Sequence, residues 1–325
     1  MRLIAVEEHL LTPEVRAAWA EPGAAPDPAT AFDAGEIGRR LDDVGDERLR
    51  LMDEAGVDVQ VLSLTTPGLH NLAPDRAVEL ARRTNDRIAA AAARHPGRFQ
   101  GFAALPTPAP DAAPRELERA VRDLGLKGAM LCGRTRARNL DHPEFEPLLA
   151  CAATLGAPLF IHPQVPQRAV CEALYAGISP QVDLALSAFG LGWHYEAGVQ
   201  FVRLVAAGVF DRLPGLQIIL GHWGEVVLFY VERIAALDRA AGLRRRVAEV
   251  VRENLYVTAS GMFSETYLRR CLEIVGPDRL LFSTDYPYQY RPGREARGFL
   301  DRAPLDETDR ASFAHGNWER LTGPR

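Results

Sequence analysis

The sequence predicts an α/β protein of the (β/α)8 TIM-barrel class, distorted by long loops after strands 1 and 5, with one domain over residues 1–325. Three observations predict it. Short apolar runs alternate with helical patterns from end to end, which is the signature of a parallel sheet wrapped by helices. Eight such runs fit within a chain whose length suits one α/β barrel. The main rival, an open doubly wound sheet, needs a glycine-rich phosphate turn after its first strand, and VEEHLLTP at 6–13 is the opposite of one.

In chain order the strands are predicted at Leu3–Val6, Val57–Leu64, Phe99–Leu105, Gly128–Cys132, Pro158–Ile161, Leu216–Leu220, Leu255–Thr258 and Arg279–Ser283. Several are apolar almost throughout, because a strand of a parallel sheet is covered on both faces. Helical patterns fall between them at Pro74–Arg94, Ala112–Leu124, Pro143–Leu155, Leu184–Ala207, Val226–Ala241 and Glu265–Val275. Proline and glycine mark the joints, as in HPGRF, LPGLQ and VGPDR. Residues 12–45 read as a long Ala/Pro/Gly-rich connection, either a lid over the catalytic face or a mobile decoration. Residues 163–195 form a second long connection carrying Tyr175, Phe189, Trp193, His194 and Tyr195.

Hydrophobic residues make up 47% of the chain, enough for a large core. A formal charge of −5 leaves no field for gripping nucleic acid or an anionic membrane, so the expected partners are small molecules and copies of the chain itself. Lys127 is the single lysine among 38 basic residues, and the arginines are interleaved with acids. That pattern reads as coding bias, and the stretch GLRRRVAEVVRE as a solvated helix face. The four cysteines are scattered without a CxxC pair, as buried thiols of a reducing compartment would be. The N-terminus is strand-like at once, and no run of 18 apolar residues occurs, so the expected location is the cytoplasm.

Four polar residues follow apolar runs. Glu7 and His9 lie two apart on a strand and share a side, while Glu8 points towards the surrounding helices. His162 ends PLFIH, and Asp285 follows LLFST, where a bare carboxylate is costly to bury without a partner. Two carboxylates and two imidazoles neutralise a divalent ion and leave room for water or substrate. Zn2+ and Mn2+ both suit them. His222, at the mouth of the sixth strand, stands three residues before Glu225, a pair suited to proton transfer or to orienting a phenol or carboxylate. His70 and His194 read equally as pocket-lining or packed, and His95, His142 and His315 as helix-end or loop residues. The chain has no GxSxG elbow and no cysteine in a motif with a histidine, which argues against an acyl-enzyme.

Together these residues resemble the amidohydrolase superfamily, in the branch of γ-resorcylate and 2,3-dihydroxybenzoate decarboxylases. The resemblance is carried, in order, by the opening EEH, RLRLMDEAGVDVQVLSL, DHPEFEPL, the IHP turn, FDRLPGLQIILGHWGE and FSTDYP. It implies one divalent metal on Glu7, His9, His162 and Asp285, with His222 and Glu225 as the acid–base pair. Hydrolytic members and the related aminocarboxymuconate semialdehyde decarboxylase begin HxH, so Glu7 points to the aromatic-acid decarboxylases. The implied reaction is non-oxidative, reversible decarboxylation of an ortho-hydroxybenzoate with Asp285 as proton donor. The alternative is a metal-dependent hydrolase or hydratase of a lactone, amide or unsaturated acid. Trp19, Thr65, His70, Arg233 and Tyr288 are the candidate contacts to a small aromatic carboxylic acid, Arg233 across a subunit contact of a homodimer or homotetramer. Some relatives bridge two metals with a carboxylated lysine, but Lys127 precedes its strand and stands at the wrong end. CGRTRARN after the fourth strand, QVP after IHP, and Trp223 depart from the family pattern where ring substituents would be read.

Overall fold

The computed structural model describes residues 1–323. All eight predicted strands are present, the third in two pieces. They are β1 (Ile4–Leu10), β2 (Val59–Leu64), β3 (Phe99–Gly101), β4 (Ala103–Ala104), β5 (Ala129–Cys132), β6 (Leu159–His162), β7 (Ile218–Leu220), β8 (Leu255–Thr258) and β9 (Leu280–Leu281). Every neighbouring pair is parallel, in a three-stranded sheet β1-β2-β3 and a six-stranded sheet running from β4 to β9.

Backbone hydrogen bonds join the two sheets at both seams. At one, Phe102 N donates to Leu62 O (2.9 Å) and Ala103 N to Gly128 O (2.8 Å); at the other, Val6 N donates to Phe282 O (2.9 Å) and His9 N to Tyr286 O (2.7 Å). Eight staves therefore ring a lumen, with no free edge to protect. Ile4, Val6, Val61, Phe102, Phe160 and Ile219 fill it. Trp318, on the helix Asn317–Thr322, plugs the bottom with its ring 5.4 Å from Phe102. The active face is the opposite end, where the strands finish.

Both long connections carry helices. Residues 12–45 carry the helices Pro13–Ala18 and Gly35–Asp42, with a 3-10 turn at Pro28–Phe32 capped by Asp27. The helix predicted over Leu184–Ala207 is broken. Pro180–Ala185 ends in a wide turn, Ala188 leaves helical geometry at φ −99 and ψ −122, and a new helix runs from Gly192 to Ala206. Its propensity is helical throughout, but the second helix must enter at a different angle for His194 to reach the strand mouths. The pattern at Val226–Ala241 likewise resolves into Val227–Ile234 and Leu237–Ala240. Among the described residues no helix is long and apolar enough to cross a membrane, and the four cysteines are free.

Candidate active site

The site begins with an irregularity in β1. Ala5 pairs with Gln60 but Glu8 pairs with Leu62, so Val6 and Glu7 together oppose a single residue, Val61. This bulge reverses the alternation of the strand. Ile4 and Val6 face the lumen below it; above it Glu7 and His9 face the lumen and Glu8 faces out. A regular strand would have sent Glu7 and His9 to the helical layer.

Glu7, His9, His162 and Asp285 converge, each offering a ligand atom within 4.8 Å of the others. All four are buried. His9 Nε2 lies 3.2 Å from Asp285 Oδ1 without forming a hydrogen bond, and His162 Nε2 lies 3.9 Å from Glu7 Oε1. Glu7 Oε1 and His9 Nε2 have no hydrogen-bond partner among the described residues. Buried polar atoms left unpaired in this way are costly unless a cation satisfies them, and a set of two imidazoles and two carboxylates fits one divalent ion. The surrounding bonds orient each ligand for that ion. His162 Nδ1 donates to Pro163 O (2.9 Å), leaving the Nε2 lone pair facing inwards, and His9 Nδ1 is tied to Ser63 Oγ (3.2 Å). Glu7 Oε2 accepts from Ser260, from Thr258 (3.0 Å) and from Ser283 (3.3 Å).

The electrostatics match. Burial, reinforced by Asp285, pushes the Glu7 carboxyl up to about 7 despite His222 and His9 nearby. Burial, with His9 and His222 adding to it, holds His162 well below the usual imidazole range, in the neutral form that ligates. Outside the strand Glu8 clasps the last stave. It accepts from Thr284 N (2.8 Å) and Thr284 Oγ1 (2.5 Å), which fixes the residue next to Asp285. The fully buried Arg48 donates to the carbonyl of His9 and stacks 4.5 Å from the Tyr286 ring.

His222 and Glu225 sit on a strained turn. Five consecutive residues, His222 to Val226, have positive φ, and Val226 is β-branched. Each non-glycine residue in that region costs on the order of 1–2 kcal/mol, so the surroundings must impose it. His222 N donates to Ser260 Oγ (2.7 Å), Trp223 N to Thr258 O (2.9 Å) and Trp223 Nε1 to Met262 O (2.7 Å). The turn places His222 Nδ1 2.7 Å from Glu225 Oε1 and His194 Nδ1 2.8 Å from Glu225 Oε2. Burial opposes both charges in the His222–Glu225 pair, yet mutual attraction wins. It raises His222 to about 10 and lowers Glu225 to about 2, with His194 also holding the carboxylate down. The pair is ionised at neutral pH. Gly221 is required beside it, since a Cβ there would lie 2.7 Å from Ser260 Oγ and 3.0 Å from Glu7 Oε1.

A family model described as Amidohydrolase matches residues 12–323. The chain belongs to the amidohydrolase family. It is 35% identical over 332 residues to the gamma-resorcylate decarboxylase of Rhodococcus jostii, covering 97% of this chain and 96% of that one. The 5-carboxyvanillate decarboxylase of Novosphingobium aromaticivorans, complexed with manganese and 4-hydroxy-3-methoxy-5-nitrobenzoic acid, superposes with a TM-score of 0.90 at 30% identity, over 99% of this chain and 96% of that one. The dihydroxybenzoic acid decarboxylase of Polaromonas sp., with bound manganese and the inhibitor 2-nitroresorcinol, gives 0.82 at 33% identity over 99% and 96%.

In this amidohydrolase a cavity of about 740 Å³ opens over His162, Asp285, His222 and Glu225. Of the candidate substrate contacts, Tyr288 lines it, its ring 5.6 Å from His9 and its hydroxyl bonded to Asp33 and to Thr65 Oγ1 (2.5 Å). Thr65 is buried behind Tyr288, and its neighbour Thr66 takes the lining position. His70 lies deeper, against Gln164 Nε2 (2.6 Å) and Asp27 (3.3 Å), in a polar chain that continues to the buried Arg134. Trp19 is outside the lining and bonds Gly68 O (2.9 Å), tying the loops after β1 and β2 together. Arg233 is exposed on the helix Val227–Ile234 and does not reach the cavity of its own chain.

The sequence alone does not separate a pocket-lining from a packed role for His194, and nothing in it marks Phe32 or Asp33. The only signal for His194 was a histidine in a long aromatic insert. Lys127 precedes β5, at the end of the barrel away from the site.

Proposed function

We propose that this amidohydrolase is a metal-dependent, non-oxidative and reversible decarboxylase of an ortho-hydroxybenzoate. The observation that carries the reading is a cavity opening over four converging metal-type ligands and an ionised His–Glu pair, with no activated nucleophile among its described lining. Cys271 lines the pocket, but burial pushes its thiol up to about 12, too high for a thiolate. Relatives named for gamma-resorcylate and dihydroxybenzoic acid support the same reading.

Glu7, His9, His162 and Asp285 would hold the ion, and Mn2+ is favoured over Zn2+ by the manganese named with both solved neighbours. When bound, a divalent cation supplies a positive centre that draws the carboxylate and ortho oxygen of the acid to one side and stabilises the phenolate. His222, held protonated by Glu225, donates a charge-assisted hydrogen bond to an anionic oxygen of the acid, so its role is holding the phenolate rather than removing its proton. Asp285 takes the proton that the ortho hydroxyl gives up as the phenolate forms and delivers it to the ring carbon that bears the carboxylate. The bond from that carbon to the carboxylate then breaks, its electron pair returns to the ring, and CO2 leaves. In reverse, the ring carbon attacks CO2 and its proton passes back to Asp285.

The helix Val227–Ile234 leaves Phe229 and Tyr230 exposed beside Arg233, so a second copy covering them would bring Arg233 to a shared boundary, in a homodimer or homotetramer. Four free cysteines fit a cytoplasmic location. Asp285→Ala and His222→Ala should each abolish CO2 release from 2,6-dihydroxybenzoate while circular dichroism stays that of the folded protein. Activity like the unmodified enzyme's in either variant, or ring opening of lactones in place of CO2 release, would overturn the reading.

A further inference from the structure

The two ends of the cavity differ in chemistry. His162, Asp285, His222, Glu225, Thr66 and Tyr288 bring the polar atoms together at one end. The wall leading away from them is apolar, and much of it is deeply buried: Trp223 is 6% exposed and Leu228 and Cys271 2%, with Met262 beside them.

The polar atoms of that wall are already engaged elsewhere. Trp223 Nε1 donates to Met262 O at 2.7 Å, and Cys271 Sγ faces Trp223 O at 3.9 Å. Across the cavity, Phe32, Phe189 and Trp193 pack edge to face with centroids 5.5, 6.0 and 6.4 Å apart. Trp193 Nε1 is spent on His194 Nε2 (3.2 Å). Both indoles therefore present only carbon to the cavity. The exceptions are Gln289, Tyr267 and Arg270, of which Tyr267 is half exposed and Arg270 is paired with Glu273 at 3.3 Å.

A one-ring acid held at the polar end, with its carboxylate and ortho oxygen facing the metal ligands, fills only part of the cavity of about 740 Å³, whose mouth reaches the exposed Phe229. Apolar surface facing a pocket is favourable only when a ligand covers it. We infer that the substrate carries an apolar arm, an alkyl chain or a second ring, on the side of its aromatic ring turned away from Glu7, His9, His162 and Asp285. This rests on the decarboxylase reading for the position of the carboxylate, and it names the substrate class within that reading. Added hydroxyls facing Trp223, Leu228, Met262 and Cys271 would be desolvated without partners, which disfavours them there.

The test uses the metal-loaded enzyme with salicylate and 2,6-dihydroxybenzoate, each bearing methyl, propyl or pentyl at every open ring position. Chains of equal length ending in a hydroxyl or a carboxylate are run in parallel. CO2 release and calorimetric binding are both measured. At one ring position binding should tighten about fourfold per added methylene through at least the propyl chain, following the free energy of burying a CH2 group. A terminal hydroxyl should lose most of that gain. Tighter binding of alkyl acids without CO2 release would refute the decarboxylase reading and leave the arm standing. Turnover of the parent acids with no gain at any position would overturn the arm and leave the reaction intact. Preference for the carboxylate-ended chain would overturn it in favour of an anionic substituent on Arg270.

Discussion

Glu225 accepts from two imidazoles at once, and that double hold keeps the carboxylate ionised in a place where burial argues against charge. His222 keeps its proton because Glu225 keeps its charge, so His194 acts on the substrate's neighbour through one intermediary. On the proposed function His194 is a positioning residue. His194→Phe removes a hydrogen bond to a charged group, worth about 1.5–3 kcal/mol. It should lower kcat roughly tenfold to a hundredfold with little change in KM, and His194→Gln should recover part of the loss. Steady-state kinetics check this; an unchanged kcat in the phenylalanine variant would contradict it. At this scale the sequence was readable where a polar residue ended an apolar run, as at His162 and Asp285. It was not readable at His194, whose partner is 31 residues away and is brought close only by a break in a helix that local propensity favours.

Two elements turn this ordinary barrel into a site. The bulge in β1 changes which face Glu7 and His9 occupy, and the left-handed turn after β7 aims His222 and Glu225 inwards. Residue spacing put Glu7 and His9 on one side of the strand, but that the side is the lumen depends on the bulge, which carries no glycine or proline to announce it. The left-handed turn was equally silent: GHWGE has the glycines of a turn, but nothing local marks Val226 for positive φ. The helix Gly192–Ala206 supports this turn at one close approach, where a Cβ on Gly198 would lie 2.3 Å from Glu225 O. Gly198→Ala should therefore push the helix off the turn, destabilise the protein by about 1–3 kcal/mol as overpacking does, and lower activity by more than the loss of stability explains. Denaturant unfolding and kinetics on the same preparation measure both, and a neutral variant would show that the turn tolerates displacement.

For the whole molecule, the four candidate metal ligands come from β1, from β6 and from just beyond β9, so one shared ion would tie the first stave to the fifth and the last. The alternation of strands and helices was legible because eight apolar runs are hard to place otherwise. Closure of the ring through the seams at Phe102 and Phe282 depends on backbone bonds that no side-chain pattern encodes. In the metal-free protein Glu7 titrates at about 7, above its ordinary 4.5. The folded state thus holds that proton more tightly than the unfolded chain, and stability from this group declines as pH rises from 4.5 through about 7. A bound dication needs the carboxylate ionised, so acidification through that range competes with metal. The rise in Tm on adding Mn2+ should be large at about pH 8, reaching roughly 2.7 kcal/mol of stabilisation at a hundredfold excess over Kd, and should shrink by about pH 6. A metal-induced shift independent of pH would contradict the assignment of Glu7.

Glu7, His9, His162 and Asp285 are expected to share one ion. Anomalous diffraction from crystals grown with Mn2+ tests it most directly. One peak is expected within coordinating distance of all four side chains, absent in Glu7→Gln. No peak there, or a peak bound elsewhere in a preparation that still releases CO2, would contradict it.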